Sequence, residues 1–492
     1  MWWKYLTEIC DVTAVLVFLS TFLLVYFITR RQTGVPPGPA LLPIIGNIHV
    51  LATADILGKL DQLRNKYGDI FGIYIGGKLT IFLNGHDAIH EAFLKKGSTF
   101  KQRPLSKLYE NKGIIFTNDS LWKEQRSFSQ KTFNTICFSD KSRKITEIID
   151  EEIKDIANRM ESYDGCFDIE DNLNLSVSNV VMRVVFNHRC NLDDPGLKQF
   201  LDTLRGTAND FFIRDAVYKC LPFLSYLPAH WLKDRRGVLL KNFIKDYIQK
   251  GLNHDKDMNE VGLSFVSFYS KQIEMNRKND AESTLSEENM VMSAYQLLSA
   301  GSDTTSGTIR WIILYLIRNP DIQHRMYEEI KTVVGEDDVS IEHRVNLLYV
   351  QAVVLEGLRI ASVAPFGIPH SVPEDVLFRG YLFPKHCSVI SVISSVLSDP
   401  LVWPEPEKFV PSRFLNDEAT QLIVPKEFIP FSLGPRSCVG ETLARMEVFL
   451  YVANLVKSFI LLPEVDGKLP PTTGILGLTY HPENFKMRVK RR

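Results

Sequence analysis

Apolar positions recur every three or four residues over much of this chain. Lys144 to Met160, Val238 to Leu252 and Ile322 to Val334 keep that spacing and predict amphipathic helices. A different pattern spans Phe71 to Asn84, where Ile73, Tyr74 and Ile75 precede Gly76-Gly77, and Leu79, Thr80, Ile81 and Phe82 follow. That pattern predicts a hairpin. Val389 to Val396 is a shorter strand-like run. The whole reads as mainly α with a smaller β part.

One helix stands out. Thr284 and Glu287 form a T-x-x-E capping box, helical pattern runs to Arg318, and Asn319-Pro320 stops it. A helix of about thirty residues is long for a globular protein and, being mostly apolar, should cross the core. Its middle reads Ala300-Gly301-Ser302-Asp303-Thr304-Thr305. Glycine and polar groups in a buried helix cost stability. A kink from glycine and back-bonding threonines is one reading; a functional site is the other.

Val12 to Ile28 is an uncharged apolar run. As a helix it is roughly 25 Å long, near the short limit for a membrane span. Arg30 and Arg31 follow it, Trp2 and Trp3 precede it, and the basic flank favours a cytoplasmic C-terminal side. A cleaved signal peptide is the competing reading, but no small-residue cleavage site follows. Pro36-Pro37-Gly38-Pro39 then predicts a stiff extended segment. The expected division is a membrane anchor over 1–33 and one catalytic unit over 34–492.

Composition narrows the chemistry. Of 492 residues, 45% are hydrophobic and 23% charged, enough to bury a large core around a cavity. A net charge of −1 gives no general attraction to nucleic acid or anionic lipid. The seven cysteines are scattered, odd in number and without a C-x-x-C pair, which excludes a disulfide framework or zinc site as the simple reading and favours a reducing compartment.

One cysteine has informative neighbours. Phe431-Ser432-Leu433-Gly434-Pro435-Arg436-Ser437-Cys438-Val439-Gly440 fits F-x-x-G-x-R-x-C-x-G. A chance match in a chain this long is on the order of one in ten thousand, so the pattern carries weight. The glycines allow tight turns and close approach to a flat group. Cys438 precedes the helical stretch Glu441 to Lys457, whose first N–H groups would stabilise a thiolate. The segment resembles the haem-binding loop of the cytochrome P450 family.

The resemblance extends along the chain. Glu356-Gly357-Leu358-Arg359 is similar to the family's E-x-x-R, and Pro411-Ser412-Arg413-Phe414 to its P-x-R-F; together they imply a buried ion network of Glu356, Arg359 and Arg413. Trp122 and Arg126 match W-x-x-x-R, and Ala300 to Thr305 resembles the oxygen-activation motif. Three positions depart from the family pattern: Pro435, Gly357 and Asp119-Ser120.

The resemblance implies a helical, haem-enclosing prism with an N-terminal transmembrane helix. It implies haem b on a Cys438 thiolate, which favours O–O cleavage in this family, named for that chemistry in general accounts of haem ligation. Arg103, Trp122, Arg126, His370 and Arg436 would face the propionates, and Ala300, Phe431 and Gly440 would lie against the macrocycle. Gly301 would leave room for dioxygen, Thr304 would hydrogen-bond it, and Asp303 would help deliver protons. The substrate pocket would draw on Leu108 to Phe116, Phe211, Phe212, Leu297, Ala300, Val363 to Ile368 and Ile475-Leu476, all mostly apolar.

The implied activity is monooxygenation of a lipophilic small molecule at the endoplasmic reticulum membrane, catalytic part in the cytoplasm. Electrons would come from NADPH through a membrane-bound cytochrome P450 reductase, with cytochrome b5 a second candidate donor and Lys123, Arg126 and Lys131 on the docking face. A peroxide-rearranging isomerase and a gas-carrying haem protein are the alternatives. Asp303-Thr304 favours the monooxygenase.

Overall fold

The longest helical pattern becomes a helix of 32 residues, Glu287–Arg318, about 48 Å long at 1.5 Å per residue. In the computed structural model, which describes residues 13–14, 17–22, 31–104, 111–138, 143–191, 194–221, 235–257 and 264–492, this helix forms the axis of the molecule. Ser286 caps it, accepting a hydrogen bond from the Asn289 N–H. The expected cap, Thr284, is taken by another partner: its N–H and hydroxyl donate to the Glu124 carboxylate at 2.7 and 2.6 Å. Glu287 and Glu288 in the first turn and Arg318 in the last complement the helix dipole. Every residue from Thr305 to Ile317 is buried, so the helix is wrapped on all sides.

Among the helices packed against it, Glu170–Phe186, Leu348–Ala361 and Glu441–Ser458 make the most extensive contacts. Glycines set two of these contacts. A Cβ at Gly301 would lie 3.0 Å from Val181 Cγ2, so this glycine admits the Glu170–Phe186 helix. A Cβ at Gly357 would lie 2.3 Å from Ile312 Cγ1. The departure at Gly357 thus lets the Leu348–Ala361 helix press onto the long one.

That pressure places the expected ion network. Glu356 and Arg359, both fully buried, pair through Oε2 and Nε at 2.7 Å, and Arg413 Nε approaches Glu356 Oε1 at 3.3 Å. The Val410 N–H donates to the same carboxylate, while Arg359 donates to the carbonyls of Leu397 and Pro406. With donors and acceptors met, a buried ion pair is tolerated. It ties the helix to the irregular stretch that leads toward Cys438.

The other expected helices form and run slightly longer than their apolar pattern: Arg143–Ser162, Arg235–Asp257 and Pro320–Val334. The expected hairpin is β1 (Ile70–Ile75) and β2 (Lys78–Leu83), antiparallel in the register Ile70↔Leu83. β3 (His370–Ser371) and β6 (Ser388–Ser391) complete a sheet ordered β1-β2-β6-β3, with β6 parallel to β2. The run expected to Val396 ends as strand at Ser391 and turns into the short helix Ser394–Leu397. β4 (Val376–Phe378) pairs with β5 (Tyr381–Phe383), β7 (Phe459–Pro463) with β10 (Met487–Arg491), and β8 (Gly474–Leu476) with β9 (Tyr480–Pro482).

Most of the apolar run Val12 to Ile28 lies outside the described residues. Those described, 13–14 and 17–22, are helical, and Val17, Phe18, Leu19 and Phe22 are exposed. Among the described residues no helix is long and apolar enough to cross a membrane. The proline segment is fixed to the body. Arg31 donates to the carbonyls of Pro36, Pro39 and Gly72, and the Gly72 N–H donates to Pro37.

Gly357→Ala should destabilise the protein by about 1–3 kcal/mol through overpacking against Ile312. Combined with Ile312→Ala, the two losses should be less than additive, as measured by denaturant unfolding.

Candidate active site

The cysteine loop is shaped by a backbone approach that only glycine permits. Gly434 has φ +77°, and a Cβ there would lie 1.8 Å from the Phe93 carbonyl oxygen. Gly434–Arg436 forms one 3₁₀ turn with Pro435 at its start, where a missing N–H is no loss. Pro435 packs on Gly97, whose Cβ would lie 2.9 Å from the proline Cδ. This departure is therefore accommodated by a second glycine. The Cys438 N–H then closes the loop onto the Phe431 carbonyl at 3.0 Å.

Cys438 keeps an accessible surface at the end of this loop. The residue is exposed, yet protein surrounds the thiol and this desolvation pushes its pKa up. Backbone N–H groups of Gly440 and Glu441 and the charge of Arg126 act in the opposite direction. These are the donors at the start of the Glu441–Ser458 helix, placed where a thiolate would need them. Among the described residues, six cysteines are free and no cluster of three metal-ligating side chains forms.

Beside the loop stands a group of cations. Arg436 donates through Nε to the Lys101 carbonyl at 2.8 Å and through Nη2 to Thr117 O at 2.6 Å and Asn118 Oδ1 at 3.3 Å. Its guanidinium lies 4.0 Å over the Trp122 ring. Its Nη1 is buried with no partner. Burial, then the charges of Arg103 and Arg126, pull its pKa down to about 8. Arg103 is buried and donates to the carbonyls of Ile115, Ile368 and Pro369. Arg126, one turn after Trp122 on the helix Asp119–Phe138, is partly buried, and burial lowers its pKa against the pull of Cys438.

These residues fit a haem. An orphaned guanidinium nitrogen beside two like charges calls for an anionic acceptor, which a propionate would be. His370 fits differently from expectation. It is buried, stacked on Phe93 at 3.9 Å, and donates Nδ1–H to the Phe100 carbonyl at 2.6 Å. Burial and then Arg103 hold its pKa well below the ordinary histidine value. The neutral ring keeps Nε2 as an acceptor, so only a second proton would let it donate to a carboxylate. Trp122 is buried under Arg436, and Phe431 lies under Arg445 at 4.8 Å. Asp119, the third departure, has φ +52° and accepts from Gln102 Nε2 at 2.6 Å.

The long helix supplies another wall. Ala300 is exposed in the middle of a helix whose flanks are buried, and Gln296 fastens the preceding loop there by accepting from the N–H groups of Ile114 and Ile115. The Thr304 hydroxyl donates back to Ala300 O at 2.7 Å. Asp303 points to β9: its Oδ2 accepts from the Thr479 hydroxyl and lies 3.1 Å from His481 Nε2. Neither Thr479 nor His481 is marked by any motif, because their neighbour Asp303 is 176 residues or more away. Leu297 is packed on the core and Ile475 is exposed. Leu108, Tyr109, Glu110 and the side chains of Phe211 and Phe212 lie outside the described residues. Lys123 and Lys131 are exposed.

A cysteine loop on amide donors, a guanidinium cluster beside it and a broken-patterned helix across from it define a haem-thiolate enzyme. The cytochrome P450 family model matches residues 36–489, and the chain belongs to that family. The chain is 32% identical to human (Homo sapiens) cytochrome P450 2U1, covering 94% of this chain and 90% of the relative. It is 33% identical to cytochrome P450 2C44 of Mus musculus, covering 97% and 98%, and 32% identical to cytochrome P450 2C21 of Canis lupus familiaris, covering 96% and 99%. It is a monooxygenase of the kind that binds haem b through a cysteine thiolate.

Two turns beyond the loop, Glu447 is fully buried and its Oε1 has no partner. Burial raises its pKa well above the ordinary carboxylate range. Below about pH 4 both folded and unfolded chains keep that proton. Above it the unfolded chain releases the proton and the folded state loses stability. Glu447→Gln should therefore be more stable than the parent at pH 7 to 8, by urea unfolding of the holoprotein, with the gap closing near pH 4.

Proposed function

We propose that this protein inserts one oxygen atom of dioxygen into a lipophilic small molecule, reducing the other to water, with NADPH electrons delivered by a membrane-bound cytochrome P450 reductase. Cytochrome b5 is a second donor. The apolar run at 12–28 anchors the chain in the endoplasmic reticulum membrane, with the catalytic part on the cytoplasmic side. The exposed Val17, Phe18, Leu19 and Phe22 support the anchor, and the Arg31 clamp supports a fixed attitude of the body to it. The exposed Lys123 and Lys131 belong to the reductase-docking face.

The observation that carries the reading is the accessible Cys438 at the start of a helix, two residues after Arg436, whose Nη1 lacks an acceptor. Cys438 is the iron ligand. Arg103, Trp122, Arg126, Arg436 and, when doubly protonated, His370 hold the propionates. Ala300, Phe431 and Gly440 bound the macrocycle. Bound haem supplies dioxygen activation and accepts electrons one at a time. The protein holds the thiolate charge with the N–H groups of Gly440 and Glu441. On the long helix, Thr304 carries a hydroxyl, which must leave Ala300 O to donate elsewhere. Asp303 passes on the proton that this chemistry consumes. Leu297, Ala300 and the 363–368 stretch give an apolar setting that selects lipophilic substrates.

The reduced protein with carbon monoxide should show the red-shifted Soret band of a thiolate-bound haem, and Cys438→Ala should abolish it; an unchanged band in the variant would remove Cys438 as the ligand. Thr304→Ala should raise peroxide release per NADPH severalfold at the expense of product. Unchanged coupling would take Thr304 out of the proton chemistry.

A further inference from the structure

Asp303 is held by a segment that no family motif marks. β9 lies along the long helix and touches it at three successive turns. At Asp303, the carboxylate Oδ2 accepts from Thr479 Oγ1 and meets His481 Nε2 at 3.1 Å. At Gly307, a Cβ would lie 2.7 Å from His481 Cε1 and 2.8 Å from Nδ1, so the imidazole occupies the place of a missing side chain. At Trp311, the indole N–H donates to the Tyr480 carbonyl at 2.9 Å and its ring stacks on Tyr480 at 5.3 Å. The four-residue spacing repeats the helix turn, so all three contacts share one face. Thr479 Oγ1 also lies 2.9 Å from His481 Nε2 and fixes the ring's rotation.

Of the other groups facing Asp303, none of Arg205, Asn174, Ser178 and Ser302 hydrogen-bonds its carboxylate. Arg205, on the Pro195–Cys220 helix, acts through charge and is engaged with Glu170 at 3.3 Å. Asn174, Ser178 and Ser302 border a cavity of about 10 Å³ beside the carboxylate, room for one water at most. Among the described residues, His481 is the one titratable side chain that hydrogen-bonds Asp303. It is partly exposed, whereas the helix residues beyond it are buried.

We propose that His481, a positioning residue acting through Asp303, relays solvent protons to the Asp303 carboxylate, with Gly307 and Thr479 holding its ring in line. In the transfer the Nε2–H bond breaks and an O–H bond forms on Asp303, leaving neutral imidazole and a carboxylic acid. Loss of both charges loosens the pair and frees the acid to rotate. Once Asp303 has given its proton to the site, a solvent proton adds at Nε2, the ring nitrogen left bare, and the pair re-forms. Burial by itself would raise the Asp303 pKa; the hydrogen bond and charge of His481, then Thr479 and Arg205, bring it below the ordinary value. A carboxylate of that kind holds its proton only briefly, as a relay requires.

This inference rests on Asp303 serving monooxygenation, so Asp303→Asn is measured beside the His481 variants in the holoenzyme with NADPH, reductase and a lipophilic substrate. His481→Gln keeps an N–H donor for Asp303 but cannot pass a proton through itself. It should lower product per NADPH severalfold, raise peroxide to match, and change the solvent deuterium isotope effect on that ratio, with an unaltered carbon monoxide spectrum. A merely structural His481 would leave His481→Gln coupled normally, which overturns the relay while Asp303→Asn still uncouples. If Asp303→Asn itself stays coupled, the reading of Asp303 fails and the relay with it. Independently of turnover, isotope-edited infrared spectra of the ferric holoenzyme, taken as parent minus Asp303→Asn, isolate the Asp303 carboxylate. His481→Phe should move its protonation to higher pH; an unmoved band overturns the contact.

Discussion

A guanidinium taken out of water needs an anion or a full set of acceptors, and Arg436 has only part of a set. Lys101, Thr117 and Asn118 satisfy Nε and Nη2, and Nη1 is left over. The cost of burying such a charge is several kcal/mol before any pairing. Arg103 and Arg126 add repulsion. The backbone that answers Arg436 belongs to the two stretches leading into the Asp119–Phe138 helix, so the hydrogen bonds that restrain the charge also set Trp122 and Arg126 against the cysteine loop. If Arg436 holds a haem propionate as proposed, haem binding and the placement of that helix are coupled through one side chain.

The opposite wall obeys a packing constraint. The long helix is buried on all sides from Thr305 to Ile317, and three of its close approaches are made at glycines: Val181 at Gly301, His481 at Gly307, Ile312 against Gly357. Removing a side chain from a helix costs about 1 kcal/mol in propensity. Here the cost is offset by contacts that a larger residue would forbid. The glycine inside E-x-x-R is of the same kind, and it brings Glu356 and Arg359 to the depth at which Arg413 and the backbone can complete their partners.

Much of the site could be read from the chain because its chemistry is local. The Cys438 loop fits within ten residues, and Trp122 with Arg126, or Glu356 with Arg359, lie one helical turn apart. What escaped depends on distant contacts. Thr284 has the sequence of a cap, but Glu124 on another element takes its hydroxyl, and Ser286 caps instead. His370 stands where a propionate contact was expected, and the Phe100 carbonyl fixes its tautomer. Thr479 and His481 have no local signature at all. No periodicity announces a histidine that matters only because a glycine more than 170 residues earlier leaves it a notch.

The match of Asp303, Gly307 and Trp311 to β9 is a matter of phase as well as of residue type. Each step along an α-helix turns it by about 100°. One residue inserted between Gly301 and Asp303 would swing the carboxylate, the notch and the indole away from β9 together, while every one of those side chains survived unchanged. Drift of this helix by substitution can therefore proceed position by position, whereas a change in its length has no small first step.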